Sequence, residues 1–100
     1  MTVEIKGMEY ELSTKLRVTK ELEQLHGKPF PQILQELPGM DIDGQLTVLY
    51  ASLKVGGLEM SKDEFYEWAY DRLEYADVNW AARQILPKLF RPARIRDFLV

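Results

Sequence analysis

The chain predicts an α+β domain, an N-terminal β-hairpin packed on a mostly helical body of about four helices. Three observations carry that expectation. The first dozen residues alternate apolar and polar with a period of two. From residue 13 onward the apolar residues recur at three- and four-residue spacing, as one face of a helix requires. Helix-start and helix-stop residues, among them Ser61, Asp77, Gly27 and Gly56-Gly57, punctuate those periodic stretches.

Val3 and Ile5 face one way along the first strand, and Thr2, Glu4 and Lys6 the other. After Lys6-Gly7 the alternation resumes with Met8, Tyr10 and Leu12. A two-residue turn at Lys6-Gly7 pairs Ile5 with Met8 and Val3 with Tyr10, placing all four on one buried face. The same register sets Glu4 against Glu9, a like-charge pair that a longer loop would relieve. Ser13 or Thr14 is expected to cap a helix reaching about His26 and stopping at Gly27. Val18, Leu22 and Leu25, joined by Leu16, are its expected buried stripe. The connector Lys28–Met40 holds Pro29, Pro31 and Pro38-Gly39. Pro31 suits the first position of a short turn carrying Ile33, Leu34 and Leu37.

The stretch from Asp41 to Gly57 is the expected core helix. Ile42, Leu46, Leu49, Tyr50 and Leu53 form one apolar stripe, and Val48, Ala51 and Val55 a second. A helix apolar around most of its circumference belongs in the interior. Asp41 and Asp43 suit its N-terminus, and Gly56-Gly57 its left-handed exit. Ser61 and Glu64 have capping-box spacing, and Met60 and Phe65 that of a hydrophobic staple. The helix that follows carries Phe65, Trp68, Ala69 and Leu73, with Tyr66 and Tyr70 on its flank. Asp77 reads as the cap of a last helix that buries Val78, Ala81, Ala82, Ile85 and Leu86 and is ended or kinked by Pro87. Residues 1–87 thus read as one globular domain. Residues 88–100, KLFRPARIRDFLV, form a basic, aromatic tail or a short helix.

Composition narrows the function classes. The chain is 46% hydrophobic and 29% charged, the balance of an ordinary globular protein. No cysteine is present, so disulfides and thiolate metal sites are excluded, and a cytoplasmic setting is expected. No apolar run reaches the roughly 20 residues needed to span a bilayer, so no membrane role is expected. The net charge of −3 is unevenly spread: residues 41–87 hold four Lys/Arg against nine Asp/Glu, and residues 88–100 four against one. An acidic body repels phosphate, which makes nucleic acid an unfavourable partner.

A catalytic reading finds little material. His26 is the one histidine, placed at a helix C-terminus where it complements the dipole or stands exposed. Asp41-Ile42-Asp43-Gly44 opens like an EF-hand loop. Leu46 then stands where the loop needs glycine, and Ser52 where it needs glutamate. Capping explains both aspartates. The expectation is therefore a non-enzyme without cofactor or metal. The aromatic set Phe65, Tyr66, Trp68, Tyr70, Tyr75 and Trp80 reads either as core alone or as core plus a contact surface, since no single helical stripe can bury them all. Ile95, Phe98 and Leu99 have the spacing of a short amphipathic helix.

In order of elements the chain resembles the small tail assembly chaperones of long-tailed bacteriophages. The resemblance lies in the opening VEIKGMEYELS, the helix ending LEQLHG, the acidic entry DIDGQL and the helix SKDEFYEW, and spans roughly Val3 to Ile85. It implies a non-enzymatic protein of the host cytoplasm that binds the helical tape measure protein, with the tail tube protein a further partner, and that acts in many copies. Its contact residues are expected to be Tyr66, Tyr70, Trp80, Phe90, Ile95, Phe98 and Leu99. The rival expectation is a small DNA-binding regulator, with the capped helices at Ser61 and Asp77 as a helix-turn-helix and Arg83, Gln84 and Lys88 as its contacts.

Overall fold

The computed structural model describes residues 2–90. Strands β1 (Thr2–Ile5) and β2 (Met8–Glu11) form an antiparallel hairpin. Five helices follow: α1 (Leu16–His26), α2 (Phe30–Gln35), α3 (Ile42–Val55), α4 (Lys62–Arg72) and α5 (Tyr75–Leu89), with a 3-10 turn at Leu37–Gly39. The α+β architecture expected of the sequence is the observed one, with α2 as an additional short helix inside the connector.

The hairpin has the register of a two-residue turn: Ile5 opposes Met8, Val3 opposes Tyr10 and Glu4 opposes Glu9. Lys6 and Gly7 both take positive φ, 51° and 82°, the signature of a type I′ turn whose twist matches the strands. The shared face is buried only toward the body. Ile5 is buried, Val3 and Tyr10 are half-buried, and Met8 is 61% exposed. Met8 flanks the turn opposite the buried Ile5, so at this level the body covers the β1 side of the shared face and leaves the β2 side open.

Helix α3 is the centre of the molecule. Nine consecutive residues, Gln45 to Leu53, are buried, which only an element enclosed on all sides can achieve. Helices α1, α4 and α5 all pack on it. Its entry is capped by Asp41, whose carboxylate accepts from the Gly44 N–H at 2.8 Å. Its exit is a Schellman turn: Leu58 N–H donates to the Leu53 carbonyl (2.9 Å) and Gly57 N–H to that of Lys54 (3.1 Å). Gly57, at φ 115°, supplies the left-handed residue, whereas Gly56 has an ordinary φ of −76°. Gly56 is small for a different reason. A Cβ there would lie 2.3 Å from the carbonyl oxygen of Glu11, so the end of β2 crosses against bare backbone. The Ser52 hydroxyl donates to the Ser13 carbonyl (2.7 Å) and ties the same crossing together.

Four local expectations are corrected. Helix α1 begins two residues later than a Ser13 cap implies and one later than a Thr14 cap, with Lys15 at the N-cap and no side-chain cap bond. The Ser13 hydroxyl instead accepts from the Lys15 N–H at 3.2 Å. Leu16 is 83% exposed; at about 100° per residue it lies on the side opposite Val18, Leu22 and Leu25. Helix α5 begins at Tyr75 with Glu74 as N-cap, so Asp77 falls inside its first turn. Pro87 neither ends nor prevents α5, which runs on to Leu89. A proline this near the C-terminus frees only the carbonyl four residues back, on the exposed Arg83. The five expected buried residues of α5 are all buried.

The capping box at the start of α4 is half formed. The Ser61 hydroxyl accepts from the Glu64 N–H (3.2 Å) and also donates to the Glu64 carboxylate (3.1 Å). The reciprocal bond from the Ser61 backbone is replaced by this side-chain pair.

Candidate protein-binding surface

The aromatic residues divide into a set that locks α4 to α3 and a set left outside. Phe65 is buried, with its ring centroid 5.5 Å from that of Tyr50 and 5.9 Å from that of Trp68. Tyr66 is half-buried. Its hydroxyl donates to the Asp43 carbonyl at 3.0 Å and meets the Thr47 hydroxyl, and Lys62 lies over its ring at 5.3 Å. Burial pushes the Tyr66 phenol above its ordinary pKa, and the nearby Asp43 carboxylate adds to the effect.

Tyr70 follows one turn later and packs edge-on to Tyr66, with centroids 6.1 Å apart. Its hydroxyl donates to the Asp43 carboxylate, which raises the phenol to a pKa of about 12. Half of its surface, 49%, remains open. Asp43, two residues into the DxDG entry of α3, is therefore occupied as a tyrosine acceptor, and Asp41 as the helix cap. Tyr75 stands near the same end of α3, its hydroxyl accepting from the buried Gln45 amide at 3.4 Å, yet it is 62% exposed.

Trp80 and Phe90 lie apart from that tyrosine group. Trp80 is on the side of α5 opposite Val78, Ala81, Ala82, Ile85 and Leu86 and is 55% exposed. Phe90 is 61% exposed at the end of the described chain. Neither ring pairs with another aromatic ring among the described residues. Of the expected contact residues, then, Tyr70, Trp80 and Phe90 present free surface and Tyr66 is largely engaged within the fold. Ile95, Phe98 and Leu99 lie outside the described residues.

Compared with protein-family models, with curated proteins and with solved structures, the chain matches none.

Sequence reasoning missed three exposed apolar residues. Tyr75 falls outside the expected contact set because an Asp77 cap starts the helix three residues later than the observed Glu74 cap. Met8 and Leu16 were assigned to buried faces. For Leu16 a stricter reading of helical angle would have sufficed; for Met8 only the position of the body relative to the hairpin tip decides.

His26 ends α1 as expected but is not the exposed or dipole-complementing residue the sequence suggests. It is half-buried at the end of α1, and its Nε2 atom is enclosed with no hydrogen-bond partner among the described residues. Burial lowers its pKa below the ordinary value, and the adjacent Lys28 ammonium lowers it further. A ring kept neutral in this way adds no positive charge to the helix dipole. It borders an open groove of about 810 Å³ with Lys28, Glu36, Asp41, Lys62 and Tyr66. Lys28 pairs there with Glu36 at 2.7 Å, and that hydrogen bond holds the Glu36 carboxyl below its usual range. Among the described residues no three His, Asp or Glu side chains converge as metal ligands, and no helix is long and apolar enough to cross a membrane.

Proposed function

We propose that the protein is a non-enzymatic tail assembly chaperone, binding helical segments of a tape measure protein in the host cytoplasm until tail tube subunits assemble around them. One observation supports this reading above the others. Nine consecutive residues of α3 are buried, yet among the described residues Tyr70, Tyr75, Trp80 and Phe90 remain between 49% and 62% exposed. Large aromatic residues left outside a finished core are the anchors that protein interfaces favour. The resemblance in order of elements supplies the client. An amphipathic helix of that client would lay its apolar side chains against these rings, as in helix-in-groove recognition. Reversible, multivalent holding suits contacts that are few and spread over one small body.

The test is co-expression with a long-tailed phage tape measure protein, followed by the fraction of that client in the soluble supernatant. Retention with the natural chain, and its loss with Trp80→Ala plus Phe90→Ala at unchanged fold, is the expected result. A client equally insoluble with and without the natural chain overturns the reading. Tight duplex DNA binding with a steep salt dependence would favour the DNA-binding regulator.

A further inference from the structure

The outer side of α4 and the turn of the hairpin enclose an open groove of about 510 Å³. Its apolar wall is Trp68, half-buried against Phe65. Asp63, Glu64, Glu67 and Asp71 line it, with Lys6 and Arg72 as its two cations. The two ion pairs among the described residues, Lys28–Glu36 and Lys54–Glu21, involve none of these groups.

Asp63, Glu67 and Asp71 follow one another at four-residue spacing and so form a single row along α4. Like charges at that spacing repel one another and destabilise the free helix. The same row becomes favourable when a cationic partner lies along it. A groove with one indole wall and a row of carboxylates selects a ligand with the complementary pair of features, an apolar side chain flanked by Lys or Arg.

We propose that this groove binds a basic amphipathic helical segment of the client, with its cations on Asp63, Glu67 and Asp71 and an apolar side chain on Trp68. The chaperone reading supplies only the source of that segment; the chemistry of the groove stands by itself. Neither Trp80 on α5 nor Phe90 just beyond it lines this groove, which gives the protein two places to grip one polypeptide.

The full chain with Trp80→Phe keeps Trp68 as its only tryptophan, because the sequence has two. Titration with a designed Leu/Lys amphipathic helical peptide should shift Trp68 emission to the blue and saturate. Its affinity should fall as ionic strength rises from about 0.05 to about 0.5 M. A Leu/Glu peptide with the same apolar positions should not bind. Glu67→Lys with Asp71→Lys should weaken binding roughly tenfold or more, with far-UV circular dichroism unchanged. Glu67→Gln with Asp71→Asn should lose part of it, which covers the case where the reversed variant misfolds. Equal binding of both peptides, or indifference to both variants, overturns the proposal. No Leu/Lys peptide binding by the Trp80→Phe chain, beside a client that the natural chain still holds in solution, sinks the groove alone. Intact peptide binding beside an insoluble client sinks the chaperone reading alone.

Discussion

Gly56 and Gly57 are adjacent and look alike in the sequence, but they are glycines for different reasons. Gly57 needs its positive φ, and an ideal Cβ there meets nothing within 4 Å. Its replacement by Ala should cost about 1 kcal/mol, the ordinary penalty for an L-residue in left-handed backbone. Gly56 needs only room, because the Glu11 carbonyl crosses over it. Gly56→Ala must push β2 away from α3 and should cost more, roughly 2–3 kcal/mol, as read by urea denaturation midpoints. If the two variants melt alike, the close crossing is not what holds the hairpin. His26 offers a second test at this scale. Its folded pKa lies below the unfolded value, so the unfolded state binds more protons in the window between the two. Stability should therefore be full above about pH 6.5 and fall as the pH drops through the folded pKa. Comparing the natural chain with His26→Leu from neutral to mildly acidic pH isolates this effect, and parallel curves would refute it.

At the scale of elements, local signals and burial contribute unequally. The type I′ turn, the Asp41 cap, the Schellman exit of α3 and the Ser61 entry to α4 all follow from residues adjacent in sequence, and each was readable there. Helix starts without a side-chain cap were not readable. Lys15 and Glu74 occupy the N-cap positions of α1 and α5 without capping bonds, so packing against α3 fixes where those helices begin. The hairpin carries its own unresolved conflict, since Glu4 faces Glu9 across the strands. Glu9→Lys should turn that repulsion into attraction and stabilise the protein by roughly 0.5 kcal/mol. A thermal melt at low salt would show the gain, and high salt should erase it. No gain at low salt would mean that the two carboxylates do not interact in solution.

Across the whole molecule, stability and contact are expected to reside in different residues. Leu53 is fully buried at the centre of α3, and Leu53→Ala should cost about 3 kcal/mol through lost burial and the cavity left behind. Trp80 is larger but faces outward, and Trp80→Ala should cost below about 1 kcal/mol. Chemical denaturation of the two variants tests the division. A Trp80 variant as damaged as the Leu53 variant would mean that the outer ring belongs to the core, and the contact surface would lose its main residue.

The class of fold and the central place of α3 were legible from the residues alone, because apolar period and turn chemistry act over a few residues. The two-residue register of the hairpin, by contrast, was one of two alternatives until the strands were seen paired. The sequence also indicated that a small body could not bury every aromatic residue. Which rings stay outside was decided only by tertiary structure. Tyr66 and Tyr70 sit on the same flank of one helix and the hydroxyls of both bond to Asp43, but only Tyr66 also reaches Thr47 and is half-buried, whereas half of Tyr70 stays open. Leu16 and Met8 are as apolar as their neighbours, yet one lies on the wrong side of its helix and the other on the strand that the body leaves open beside the buried Ile5. Burial depends on what stands opposite a side chain, and the chain brings the partners of Tyr66 from 19 and 23 residues away.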